Sequence, residues 1–254
     1  MTETLWPTSN SEMMDHPIGR CIRAVFFQTD LEEYPHATHG GTLFIVRFFG
    51  HLYGITCKHV FKDFSPDRLH VSPELTPKKG LMSAKVQNLG YASKLGGVAV
   101  GSDLDDICII EFAFDLAPNF FKGDEYLITE RSVATAKTGH KLFAYGFLKE
   151  KSRFIPEDGV FAPCCLPVRD RGESGDTILR HASAGYTPSA GGFRSITGMS
   201  GAPVFDITAN ALCGMVVRGS KTKDSYQIHY ADIYDIVRLL EAVRDRRQTA
   251  HYVR

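Results

Sequence analysis

Residues 196–205 read ITGMSGAPVF, with Ser200 enclosed by Gly198 and Gly201 and Pro203 three places further on. Glycines at this spacing allow backbone turns closed to other residues. A serine held there is either an ordinary turn residue or a nucleophile presented by the turn. Its hydroxyl attacks at neutral pH only with a base in hydrogen-bond reach and a third group that orients the base. The rest of the chain must therefore supply a histidine and a carboxylate able to converge on Ser200.

Among the ten histidines, His59 stands apart. It ends the apolar run GITCKHVF (54–61), where a strand would hold its side chain rigidly. The carboxylates crowd into SDLDDICIIEF (102–112), and Asp106 is the last acid before the run ICII. Asp103 and Asp105 sit further back. Taken singly, His59 reads as a structural histidine, Asp106 as a loop-to-strand cap and G-M-S-G-A-P as a turn. An α/β-hydrolase elbow needs G-x-S-x-G running straight into a helix, with the acid and histidine downstream. Here Ala202 takes the last glycine position, Pro203 opposes a helix, and the candidate base lies upstream. That fold is excluded.

Together the three motifs carry a resemblance. GITCKHV resembles the strand-then-histidine motif of the chymotrypsin-like (trypsin-like) serine peptidases, D-I-C-I-I resembles their Asp-Ile-x-Leu-Leu motif, and G-M-S-G-A-P resembles their Gly-x-Ser-Gly-Gly-Pro motif. The order His59, Asp106, Ser200 is also that of the family. GGTLFIV (40–46), KLFAYGF (141–147) and CGMVVRGS (213–220) resemble further segments of it, so roughly residues 25 to 245 are covered at low overall similarity.

The resemblance implies an all-β fold of two Greek-key barrels with the active site in the cleft between them and a carboxyl-terminal helix. Residues 1–20 would form an arm, 21–115 the first barrel, 116–137 a connector, 138–231 the second barrel and 232–254 the helix and tail. It implies a serine endopeptidase acting on protein or peptide substrates through an acyl-enzyme. Ser200 would attack, His59 would serve as general base and then acid, and Asp106 would orient the imidazole. The amides of Gly198 and Ser200 would form the oxyanion hole. Val217, Arg218 and Gly219 would bind an extended substrate. No cofactor or metal is expected, and the histidines of H-A-T-H (36–39) read as a solvated loop. The alternative is a catalytically silent module that keeps the fold to bind a peptide or partner protein.

The chain departs from the family's pattern in places. Met199 stands where zymogen-type members carry an aspartate, and Val60 stands where a cystine half follows the histidine. Activation by amino-terminal cleavage is therefore not expected, and the support of the oxyanion hole stays open. Counting back from Ser200 without gaps puts Arg194 near the floor of the specificity pocket, which would favour an acidic side chain before the scissile bond. A gap in the 183–195 loop would instead move it to the surface, and glutamate-selective relatives carry a histidine where Val216 stands.

Composition narrows the setting. The 254 residues carry no net charge, with both signs scattered, so no electrostatic grip on nucleic acid or an acidic membrane is expected. Six irregularly spaced cysteines without a C-x-x-C pair read as free thiols of a reducing compartment. The amino terminus lacks a basic region followed by an apolar run. A cytoplasmic protein is expected, and such a peptidase would need narrow specificity or a regulatory protein partner. Strands are expected over 42–48, 51–57, 98–100, 107–113, 141–147, 201–207 and 211–218, with Gly50 turning the first hairpin. A helix is expected from Asp232, with Ile233, Ile236, Val237, Leu240 and Val243 on one face.

Overall fold

The computed structural model describes residues 16–33, 36–38, 40–72, 82–83, 86–91, 103–112, 121, 123–151, 163–175, 179–185, 195–221 and 225–252. The first unit opens with one helical turn, α1 (Pro17–Arg20). It continues through β1 (Ile22–Ala24), β2 (Phe26–Gln28), β3 (His36–Ala37), β4 (Thr42–Phe48), β5 (His51–Cys57), β6 (Leu69–Val71), β7 (Met82–Ser83), β8 (Val86–Tyr91) and β9 (Ile107–Phe112). A short β10 (Tyr126–Leu127) follows, and then the strands of the second unit. These are β11 (Lys141–Phe147), β12 (Pro163–Glu173), β13 (Arg180–Gly185), β14 (Pro203–Asp206), β15 (Ala211–Lys221) and β16 (Ser225–Asp232). The last element is α2 (Ile233–Tyr252).

The second unit is a closed barrel in the order β11-β12-β13-β16-β15-β14. In the first unit two sheets share the work: β1-β4-β5-β9-β8, with β10 added to β4, and β3-β2-β6-β7. The chain changes sheet at Val25, since β1 pairs with β4 while β2 pairs with β6. Phe26, Phe27, Leu69 and Val71 from one sheet join Phe44, Ile55 and Ile109 from the other in a single core. A second core, with Leu142, Val204 and Ile228, fills the closed barrel.

Two covered faces explain why β4, β5 and β9 read as continuous apolar runs rather than alternating ones. Every residue of β9 is buried. The β4–β5 turn places both central residues at positive φ, Phe49 at 46° and Gly50 at 79°, the geometry that matches the twist of a two-residue hairpin. Phe49 is exposed, but the Arg244 guanidinium of α2 lies 4.6 Å over its ring and ties helix to hairpin.

Of the expected connector 116–137, the described stretch 123–137 is tied to both units. Tyr126 and Leu127 pair parallel with Val46 and Arg47, the Ala134 N–H donates to the Leu212 carbonyl at 3.1 Å, and the Leu212 N–H donates to the Ser132 carbonyl at 2.9 Å. Residues 16–20, expected within an arm, form α1 with Ile18 fully buried and Arg20 bonded to Asp124 at 2.6 Å. Asp232 caps α2 by accepting from the Tyr234 N–H at 2.9 Å. Ile233, Ile236, Leu239, Leu240 and Val243 are buried, so Leu239 takes the inward place expected for Val237, which packs at the flank. Among the described residues no helix is long and apolar enough to cross a membrane. All six cysteines are free.

Candidate active site

Strand register brings His59 to Asp106. Cys57 at the end of β5 pairs with Ile107 at the start of β9. His59 follows Cys57 by two residues in a 3-10 turn, and Asp106 immediately precedes Ile107 at the end of another. The Asp106 carboxylate accepts twice from the same residue: Oδ1 from the His59 backbone N–H at 2.9 Å and Oδ2 from ring Nδ1 at 2.5 Å. Two bonds fix the carboxylate and turn the imidazole's other nitrogen away from it. His59 stays half-exposed.

Ser200 lies in the turn before β14, and glycines are required on both sides. Gly198 has φ +102°, and a Cβ there would come within 2.2 Å of the Phe147 carbonyl oxygen. Gly201 has φ +85°, and a Cβ would come within 1.9 Å of the Thr42 carbonyl oxygen. Buried Thr42 at the head of β4 anchors the loop across the two units. Its N–H donates to the Ser200 carbonyl at 2.8 Å, and its Oγ1 donates to the Gly198 carbonyl at 2.9 Å while accepting from the Phe147 N–H at 3.0 Å. Thr56 Oγ1 in turn donates to the Thr42 carbonyl at 2.7 Å. Met199 is buried in the core of the second barrel. Apolar burial and a threonine thus hold the turn where a charged anchor was missing from the sequence. Neither threonine was singled out from the sequence; their signal is a hydroxyl residue inside an otherwise apolar strand.

Among the described residues, neither the Gly198 nor the Ser200 N–H has an acceptor. Met199 N–H, between them, is satisfied by the Ile196 carbonyl at 3.1 Å. Two uncommitted amides beside a serine can receive a developing negative charge. Ser200, His59, Gly198 and Gly40 line one cleft of about 440 Å³. The Ser200 hydroxyl makes no hydrogen bond to His59 or to any other described residue.

Along one wall runs β15. On the β14 side β15 is held as far as Val216, which bonds Gly201 and Ala202. Beyond it Val217–Gly219 has no strand partner on that side among the described residues, an edge open to another extended chain. A bulge between Val216 and Arg218 sets this stretch off from β16. Arg218 and Gly219 line the Ser200 cleft, whereas buried Val217 lines an adjoining groove with Asp105 and Asp106. Arg218 Nη1 pairs with Asp103 Oδ1 at 2.8 Å, joining the two units over that groove. Its cross-strand neighbour His229 is held below the usual imidazole range by burial and then by the Arg218 charge. Arg194 lies outside the described residues.

Among the described residues, one group could offer metal-ligand chemistry: Cys57, His59 and Asp106 place ligand atoms within 4.8 Å of one another. Burial first, and then the Asp106 charge, push the Cys57 thiol well above its ordinary range.

No family model matches the chain, and no curated protein matches it by sequence. Solved structures do match. A thermostable serine protease from an extremophilic microorganism superposes with TM-score 0.52 at 13% identity, covering 84% of this chain and 91% of that one. The protease Anisep from Arthrobacter nicotinovorans gives 0.51 at 11% identity over 84% and 90%. The MamO protease domain from Magnetospirillum magneticum gives 0.50 at 14% identity over 87% and 96%. With its closed barrel, its second β unit and its carboxyl-terminal helix, this chain has the fold of the trypsin-like serine proteases.

Proposed function

We propose that the protein is a serine endopeptidase using His59, Asp106 and Ser200. One observation carries the reading: a histidine held by a carboxylate and a serine flanked by two acceptor-free amides line the same cleft. Ser200 Oγ attacks the peptide carbonyl as His59 takes its proton, and the oxyanion collects on the Gly198 and Ser200 amides. His59 then protonates the leaving amine, and water releases the acyl group by the reverse proton transfers. An extended substrate adds to the open edge of β15 at Val217–Gly219, beside the Arg218 side chain. The six free thiols fit a reducing, cytoplasmic setting, with a protein partner restraining the activity.

Incubation of an unbiased peptide library with the purified chain, with and without cell extract, tests this reading. Cleavage products are expected with wild type and absent with Ser200→Ala. A second reading, a peptide-binding module without catalysis, is favoured by the missing Ser200–His59 hydrogen bond. Such bonds also lengthen in unliganded enzymes. Peptides retained by wild type and Ser200→Ala alike, with none cut, would select the binding module.

A further inference from the structure

Beneath the His59–Asp106 pair lies a residue that the proposed reaction does not use. Cys57, the last residue of β5, is fully buried. Its Sγ is 3.4 Å from the Val216 carbonyl oxygen and 3.8 Å from that of Val217, on the strand whose edge would take the substrate. The same sulfur lies within 4.8 Å of ligand atoms on both His59 and Asp106. Around it stand three acceptors, the two β15 carbonyls and the Asp106 carboxylate, with the Gly201 N–H as a backbone donor to the sulfur. Such a setting keeps the group a thiol, and burial with the Asp106 charge raises its titration accordingly. A thiol has one proton, and here the groups able to take it are the β15 carbonyls and the Asp106 carboxylate.

We propose that Cys57 is a positioning residue: its S–H, shared between Asp106 and the β15 carbonyls, fixes the carboxylate that orients His59 and ties it to the substrate-binding strand. The inference rests on reading His59, Asp106 and Ser200 as a hydrolytic site. Asp106 already receives the His59 N–H and ring Nδ1, and both come from one residue on one side. A third donor from β5 opposes them and leaves the carboxylate less freedom to rock. Because it withdraws electron density from Asp106, it also weakens that oxygen as an acceptor for the imidazole.

Two variants test this in opposite directions. Cys57→Ala removes the donor, so the His59–Asp106 bond strengthens while the carboxylate loosens. Cys57→Ser supplies a stronger donor of nearly the same shape. The low-field proton resonance of His59 Nδ1–H is expected to move downfield in Cys57→Ala and upfield in Cys57→Ser. Acylation of Ser200 by a fluorophosphonate is expected to slow about tenfold in Cys57→Ala, since small misplacements of reacting groups cost factors of this size or more. Cys57→Ser should restore most of that rate. An unmoved resonance in both variants would overturn the proposal and leave Cys57 as core filling. If Cys57→Ala does not fold, the upfield shift in Cys57→Ser decides alone. The resonance reads the positioning even in a chain that cuts nothing, so shifted resonances with no acylation would sink the peptidase reading but keep the role of Cys57.

Discussion

Asp106→Asn is expected to slow acylation of Ser200 by about 10⁴-fold, whereas Asp103→Asn should cost less than about threefold. Both aspartates sit in the same short turn, so the contrast isolates geometry from local charge. Asp106 accepts two N–H groups from His59, one backbone and one ring. An asparagine has one carbonyl oxygen for these two donors, and its amide would present N–H to one of them. The ring then turns or changes tautomer, and its other nitrogen no longer stands ready to accept from Ser200. Asp103 instead pairs with half-exposed Arg218. Such a pair contributes under about 1 kcal/mol, and its loss opens the adjoining groove without touching the imidazole. Second-order rate constants with a fluorophosphonate, measured on both variants, check the pair. A severe loss for Asp103→Asn with little for Asp106→Asn would reassign the acid.

Gly201→Ala carries the largest expected cost in stability, about 2–5 kcal/mol, with loss of the active turn. The new methyl would stand 1.9 Å from the Thr42 carbonyl oxygen and 2.7 Å from Thr56 Oγ1, two atoms that already bond each other. A left-handed φ for a non-glycine residue costs about 1–2 kcal/mol, and forcing atoms into a packed site about 1–3 more. Gly123→Ala supplies the control, since its φ of +82° carries the same conformational penalty with nothing within 4 Å of the added methyl. Urea denaturation of the two variants should therefore separate the steric part from the conformational part. Equal losses would mean that the Thr42 contact yields easily.

Much of the fold was legible where strands are covered on both faces. The expected runs 42–48, 51–57 and 141–147 match β4, β5 and β11, because double burial makes such strands uniformly apolar. The run 201–207 starts as a strand only at Pro203, since Gly201 and Ala202 are spent on hydrogen bonds to Val216. The expected strand 98–100 lies outside the described residues. The hairpin of β12 and β13 went unread because Pro163, Pro167 and Gly172 resemble loop punctuation. Among the described residues β13 pairs with β12 only from Arg169 onward, so a donor missing at Pro163 or Pro167 on that side breaks no described ladder.

The site was legible through three motifs whose order mattered more than any one of them. What the sequence could not display was the support: Thr42 and Cys57 look like ordinary strand residues until register places one on the serine turn and the other under Asp106. Nor could it say what replaces the charged anchor missing at Met199, because burial of that side chain depends on the closed barrel around it.

The most direct measurement is fluorophosphonate labelling of the purified chain, followed by mass mapping of the modified residue. The account predicts a single covalent adduct on Ser200, formed by wild type and lost in His59→Ala. An adduct that survives His59→Ala unchanged, or none on Ser200 under conditions that label an active serine hydrolase, would contradict it.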